Sequence, residues 1–194
     1  MPACLQTDQA VWQLLTAFTQ EDRMPRIALD LNKAEDRQKI KGQWRVAPGF
    51  VPGQHNEGLT AQLLSTPARL ADYDDSGWEI CNNVRESRSV GFTFAWYRLT
   101  AEIPARLDGV DLAGTRVWFE TNIDNYGEVW VNGQIDRSTG VIVGLNASHR
   151  VEISNSAVPG TRYVIAVLVL NGPLAEPRGG IFMRYATLAF ESSN

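Results

Sequence analysis

The segment Ile123 to Gly133 ends in Asn132-Gly133, the dipeptide best suited to a two-residue hairpin turn whose central residues both take positive φ. Ahead of it, Glu128 to Val131 alternates polar and β-prone residues. Side chains on a strand point to opposite faces in turn, so Val129 and Val131 share a face suited to a core while Glu128, Trp130 and Asn132 share the other. Asp124-Asn125 has turn chemistry of its own, and the strand is therefore expected to run between two turns. An acid, an indole and an amide on one face make that face the first place to look for function.

Strand-like segments recur along the chain from Gln43. Trp44-Arg45-Val46 is short, and Trp78 to Val84 starts another strand after the acidic, turn-rich stretch Ala71 to Trp78. Phe92 to Ile103, Thr115 to Thr121, Gly127 to Val131, His149 to Ser154, Arg162 to Leu170 and Ile181 to Glu191 follow. Pro104, Asp108-Gly109, Asn132-Gly133, Pro159-Gly160 and Asn171-Gly172-Pro173 punctuate them at the spacing of an all-β sandwich. Tyr163 to Leu170 is almost wholly apolar, which predicts a central strand buried on both faces.

The chain starts differently. Residues 8 to 20 predict a helix with Thr7 or Asp8 as N-cap and a stripe of Val11, Leu14, Leu15 and Phe18, with Trp12 beside it. Pro25 ends that pattern, and Ala28 to Gln38 predicts a second, more polar helix. The expected organisation is a helical extension over residues 1–40, packed on the domain or on a partner subunit, and a β-sandwich over 41–194.

At 194 residues the chain is long enough to bury a core, and a formal charge of -4 provides no basic surface for nucleic acid or an anionic membrane. Neither is expected as a partner. Cys4 and Cys81 lack the number and spacing of a disulfide framework or metal site. The N-terminus has no basic and apolar leader, and no apolar run is long enough to span a bilayer, so a cytoplasmic location is expected.

Taken in order, Asp74-Asp75-Ser76-Gly77-Trp78-Glu79, Trp96-Tyr97-Arg98 leading to Ile103-Pro104, Gly114 to Trp118, Glu128 to Gly133 and Gly180 to Arg184 resemble the jelly-roll sugar-binding domain of glycoside hydrolase family two. Asp124 to Val131, Ala147 to Val151 and Asn171 to Leu174 are similar, more closely, to the β-domain that precedes the propeller in some bacterial gluconolactonase-like (senescence-marker-protein-like) proteins. The resemblance covers about residues 41 to 191 and implies a mainly β, jelly-roll β-sandwich of the galactose-binding-like kind. Neither a propeller nor a catalytic barrel follows here, so the chain is expected to be the accessory module standing alone.

Alternation in Trp96 to Glu102 puts Tyr97, Leu99, Ala101 and Ile103 on the core face and Trp96, Arg98, Thr100 and Glu102 opposite. With Glu128, Trp130 and Asn132 this combines indoles, which stack on the C–H face of a pyranose, with groups that bond its hydroxyls. The competing structural reading pairs Arg98 with Glu128 and packs the tryptophans beneath the N-terminal helix. By the resemblance, Arg178 and Arg184 flank the ligand side, where two guanidiniums suit a sugar acid. Asp124 beside Tyr126, and His55 beside Glu57, are the candidate acid-base groups.

His55 and His149 lack the clustered spacing of a metal-binding cupin. Asp72, Asp74 and Asp75 are possible oxygen ligands for a structural calcium ion, without EF-hand spacing. No cofactor is expected, since no phosphate-binding loop or nucleophile elbow is present. The leading expectation is a carbohydrate-binding or assembly module that recognises a sugar-like ligand or a partner enzyme, or self-associates. The alternative is a small cofactor-independent lyase, isomerase or lactone hydrolase acting on a polyhydroxylated substrate through Asp124, Tyr126, His55 and Arg178.

Overall fold

The computed structural model describes residues 26–48, 67–87, 91, 93–171 and 179–193. Strands over the described residues are β1 (Ile27–Asp30), β2 (Trp44–Pro48), β3 (Glu79–Ile80), β4 (Phe94–Glu102), β5 (Arg106–Leu107), β6 (Val110–Asp111), β7 (Arg116–Val131), β8 (Val141–Ser154), β9 (Arg162–Leu170) and β10 (Tyr185–Glu191), with one short helix, α1 (Ala34–Lys39). The expected helix over residues 8–20 lies outside the described residues.

β7 organises the sandwich. Its first half, Arg116 to Asn122, pairs with β10, and its second half, Tyr126 to Val131, pairs with β9 along the same edge. β8 follows the other edge through both halves. β7 thus leaves one layer, β1-β10-β7-β8, and enters the other, β3-β2-β4-β9-β7-β8. Strands that change sheets bend at bulges, and the register against β8 shifts between Ile123 and Asn125. The one extra residue on β8 is accommodated by Gly144 at φ 130° and Asn146 at φ 53°. Asp124-Asn125 is therefore a bend within one continuous strand and not the expected turn, because β8 keeps bonding across it.

The core lies between the layers. Val117, Phe119, Ile123 and Val129 of β7 face inward with Leu188 and Phe190 from one layer and Tyr97, Leu99, Ile165, Val167 and Val169 from the other. Trp44 and Phe119 bridge the two, with ring centroids 6.2 Å apart at 56°. The inward position of Gly127 is taken by its neighbours: a Cβ there would lie 2.7 Å from Ile123 Cδ1 and 3.0 Å from the Leu168 carbonyl. β9 is central as expected, between β4 and β7, with Ile165 to Val169 buried.

The expected helix over Ala28 to Gln38 is corrected. Ile27–Asp30 is an edge strand on β10, with Leu29 opposite Leu188, and the helix is confined to Ala34–Lys39. Ile27, Leu29 and Leu31 alternate, and Leu29 and Leu31 are buried in the core; strand pairing wins over the helix propensity of the charged residues that follow. The sheet therefore draws a strand from the segment expected to be a helical extension. Trp78 to Val84 yields only the two-residue β3.

Candidate functional site

On a second face, the outside of the β4-β9-β7 layer, the side chains of Phe94, Trp96, Ala166 and Leu168 form a separate apolar cluster, with Tyr126, Trp130, Leu170 and Trp78 packed against it. The segment from the 3-10 turn at Pro67–Arg69 to Trp78 is bonded to this face through Arg98. The Arg98 Nη1 donates to the carbonyls of Ala68 and Leu70, Nη2 to that of Tyr73 at 3.3 Å, and Nε to the Asp75 carboxylate at 2.8 Å. At 2% exposure, Arg98 pairs with Asp75 and not with Glu128. Trp96 is 3% exposed and its indole N–H has no partner. Neither side chain reaches solvent, because this segment fills the space that a ligand would need.

Asn132 and Gly133 take φ 48° and 78°, as the hairpin dipeptide predicts. Asn132 N–H donates to the Val164 carbonyl at 2.9 Å, and its Oδ1 accepts from Val164 N–H at 2.8 Å. Its amide oxygen therefore extends the pairing of β7 with β9.

Beyond the covered area, the outer row of β7 carries Asn122, Asp124, Tyr126, Glu128 and Trp130 in alternation. The Tyr126 hydroxyl donates to Glu128 Oε1 at 2.7 Å and the Trp130 indole N–H to Oε2 at 2.9 Å, so one carboxylate aligns both rings. Arg137 lies 3.8 Å from the same carboxylate, and the Arg69 guanidinium sits 5.1 Å from the centre of the Trp130 ring while donating to the Gly133 carbonyl. Burial, with the hydrogen bond to Glu128, pushes the Tyr126 phenol up to about 12. The phenol is a hydrogen-bond donor at neutral pH and not a base. Next to it across the strands are Leu170 and the 68% exposed Val143, followed on β8 by Leu145 at 78%.

Asp124 Oδ1 accepts from Asn125 Nδ2 at 2.9 Å. Arg184 leaves the start of β10 and reaches β8, where its Nε donates to Asn146 Oδ1. Asp124, Tyr126 and Arg184 are thus gathered along the strand that changes layers, while His55 and Arg178 lie outside the described residues. His149 pairs with Thr121, and its Nδ1 is buried without a partner. Asp74 Oδ1 accepts the Ser76 N–H at 2.9 Å, a bond that holds its carboxyl below the usual range, and Asp75 is engaged by Arg98 and Arg45. Asp74 is thus bonded within its own loop and Asp75 to arginines of β4 and β2, and no three His, Cys, Asp or Glu side chains converge on a metal position among the described residues. Cys81 is buried, and among the described residues no helix is long and apolar enough to cross a membrane.

Sequence reasoning did not single out Arg69, Arg137, Asn122 or Asn146, and it read Asn125 as a turn residue only. The first two reach Trp130 and Glu128 from loops, a proximity that local spacing does not reveal. The three asparagines carry a weak signal, since Asn is favoured at bends and tolerates positive φ.

No family model matches the chain, and no curated protein sequence matches it. Among solved structures it is similar to the β-glucuronidase of Bacteroides uniformis, at 17% identity over 85% of this chain and 18% of that chain with a TM-score of 0.56. The β-glucuronidase of Faecalibacterium prausnitzii gives 13%, 87%, 32% and 0.57. That of Ruminococcus gnavus in complex with uronic isofagomine gives 17%, 86%, 28% and 0.52. The likeness shows the fold, a β-sandwich of the kind built into family-two glycoside hydrolases, and the chain spans a third or less of each of these structures.

Proposed function

We propose that this chain is a carbohydrate-binding accessory module whose recognition surface is the outer row of β7 centred on Tyr126, Glu128 and Trp130. The observation that carries the proposal is the shared carboxylate. It aligns a phenol and an indole on the rim of the covered apolar face, with the guanidiniums of Arg69 and Arg137 beside them. Flat rings beside polar groups held at fixed distance suit a sugar, whose apolar C–H faces and hydroxyls need both. The glycoside hydrolases that share the fold, of which the chain matches a part, support a carbohydrate-binding or accessory role. The finer sequence likenesses, to a galactose-binding-like jelly roll and to the β-domain of gluconolactonase-like proteins, agree with it.

A second reading, docking onto a partner enzyme, is favoured by the exposed Val143 and Leu145 at the free edge of β8. The lyase, isomerase or lactonase alternative has no observation of this kind behind it: of its four groups, His55 and Arg178 lie outside the described residues and Tyr126 is bonded to Glu128. The test is calorimetric titration with neutral monosaccharides, sugar acids and lactones. Saturable binding that Trp130→Ala weakens about tenfold, with the far-UV spectrum unchanged, is expected. Absence of heat with every compound at millimolar concentration sinks the sugar-binding proposal and leaves the docking reading.

A further inference from the structure

Trp130, the ring on which the proposed sugar-binding surface most depends, is not bare. The Arg69 guanidinium lies 5.1 Å from the centre of the indole, within stacking distance, and both residues are half-buried. Elsewhere the ring packs against the second apolar cluster, to which its β9 neighbour Ala166 belongs. A pyranose that stacks on Trp130 therefore competes with the Arg69 guanidinium for ring surface.

The two partners of this stack are held unequally. The indole is fixed, because its N–H donates at 2.9 Å to the Glu128 carboxylate that Tyr126 also bonds at 2.7 Å, and a bond to an ionised group is about twice as strong as a neutral one. The backbone of Arg69 is fixed as well. The carbonyls on either side of it, those of Ala68 and Leu70, both accept from Arg98 Nη1. The hairpin turn lies against it, since a Cβ at Gly133 would be 3.5 Å from Leu70 Cα and 3.7 Å from the Arg69 carbonyl oxygen. The guanidinium itself is loosely held. Among the described residues it bonds one acceptor, the Gly133 carbonyl, at 3.4 Å, longer than the usual span of about 2.7–3.2 Å. Rotation about side-chain bonds is fast and needs no backbone movement, so this guanidinium can leave the ring while its surroundings stay in place.

We propose that Arg69 is a displaceable cover over Trp130 that lowers the affinity of the site for neutral saccharides: binding swings the guanidinium off the indole, and the pyranose takes its place. The inference rests on the carbohydrate-binding reading and adds how that site is regulated. Arg98, buried beyond the reach of a ligand, is a positioning residue here, since it holds the turn from which Arg69 extends.

The test is a titration of the isotope-labelled full chain with methyl β-D-glucopyranoside and methyl β-D-galactopyranoside, in wild type, Arg69→Ala and Trp130→Ala, followed by calorimetry and NMR. In the ligand-free wild type the Arg69 Nε–H and Cδ protons, assigned by their loss in Arg69→Ala, should be shifted upfield by the indole ring current. They should return to ordinary arginine positions in Trp130→Ala and on saturation with glycoside. Because binding gives up a cation–π contact, Arg69→Ala should bind the glycoside about two- to fivefold more tightly than wild type, with its far-UV spectrum unchanged. Binding that is unchanged or weakened in Arg69→Ala, while Trp130→Ala still reduces it, overturns the cover and leaves the carbohydrate-binding reading intact. Arg69 protons at ordinary positions in the ligand-free wild type overturn the cover whatever binds. Absence of binding to either glycoside, in wild type and Arg69→Ala alike, removes both.

Discussion

At the residue scale, Glu128 and Arg98 illustrate how differently two charged side chains on one sheet face are used. Glu128 holds Tyr126 and Trp130 on the open part of the face, whereas Arg98 is consumed by the segment that covers the rest. The Tyr126 phenol, raised to about 12 by burial and by Glu128, gives a pH signature. Its folded value lies above the ordinary 10.0, so its contribution to stability is complete below pH 10 and is lost as pH rises through about 12. Spectrophotometric titration of tyrosinate is expected to include a late-ionising component that disappears in Tyr126→Phe and so belongs to Tyr126. In Glu128→Gln that tyrosine should ionise earlier, yet still above 10, because burial is the larger cause. An unchanged titration in the variant would show that the hydrogen bond to Glu128 does not matter.

At the scale of elements, the covering segment and the sheet are one unit because a single guanidinium bonds three carbonyls and a carboxylate. Arg98→Met keeps the length of the side chain and removes every one of those bonds, leaving Asp75 with only the 3.6 Å contact to Arg45. The expected cost is about 3–5 kcal/mol, that of stranding one partner of a buried pair, measured by urea unfolding. Limited proteolysis should then cut between residues 67 and 78. A loss under about 1 kcal/mol, within the range of ordinary surface substitutions, would show that apolar packing and not Arg98 holds the segment. The alternation that assigned Trp96 and Arg98 to the non-core face was legible in sequence. Their coverage was not, because the acceptors that satisfy Arg98 come from a stretch with no periodic pattern.

For the whole molecule, the outer face of the β1-β10-β7-β8 layer is tied by ion pairs that join strands distant in sequence. Arg150 bonds Glu191 at 2.5 Å and Glu120 at 3.2 Å, and Arg26 reaches both carboxylates. The hydrogen bond from Arg150, with smaller help from Arg26, holds the Glu191 carboxyl below its ordinary 4.5. A depressed folded value means stability that is present above pH 4.5 and lost as pH falls through the folded value. Urea midpoints followed from pH 6 downward are expected to fall below pH 4.5 in wild type. The decline should be shallower in Arg150→Ala, which starts from a lower neutral-pH midpoint; parallel curves would mean that other carboxylates govern acid unfolding.

What the sequence by itself determined is local. Alternation set the inward and outward faces of β4 and of the second half of β7, Asn132-Gly133 set the hairpin, and the apolar run of β9 set its central place, because each depends on side-chain period or turn conformation within a few residues. The tertiary structure alone decided that Asp124-Asn125 bends one strand instead of ending it, since only β8 running alongside keeps the backbone paired there. It also decided that Ile27–Asp30 joins β10, that Arg98 turns to Asp75, and that Asn122 and Arg184 both reach Asn146 on β8. Those outcomes depend on hydrogen-bond partners brought together by pairing between strands far apart in the chain.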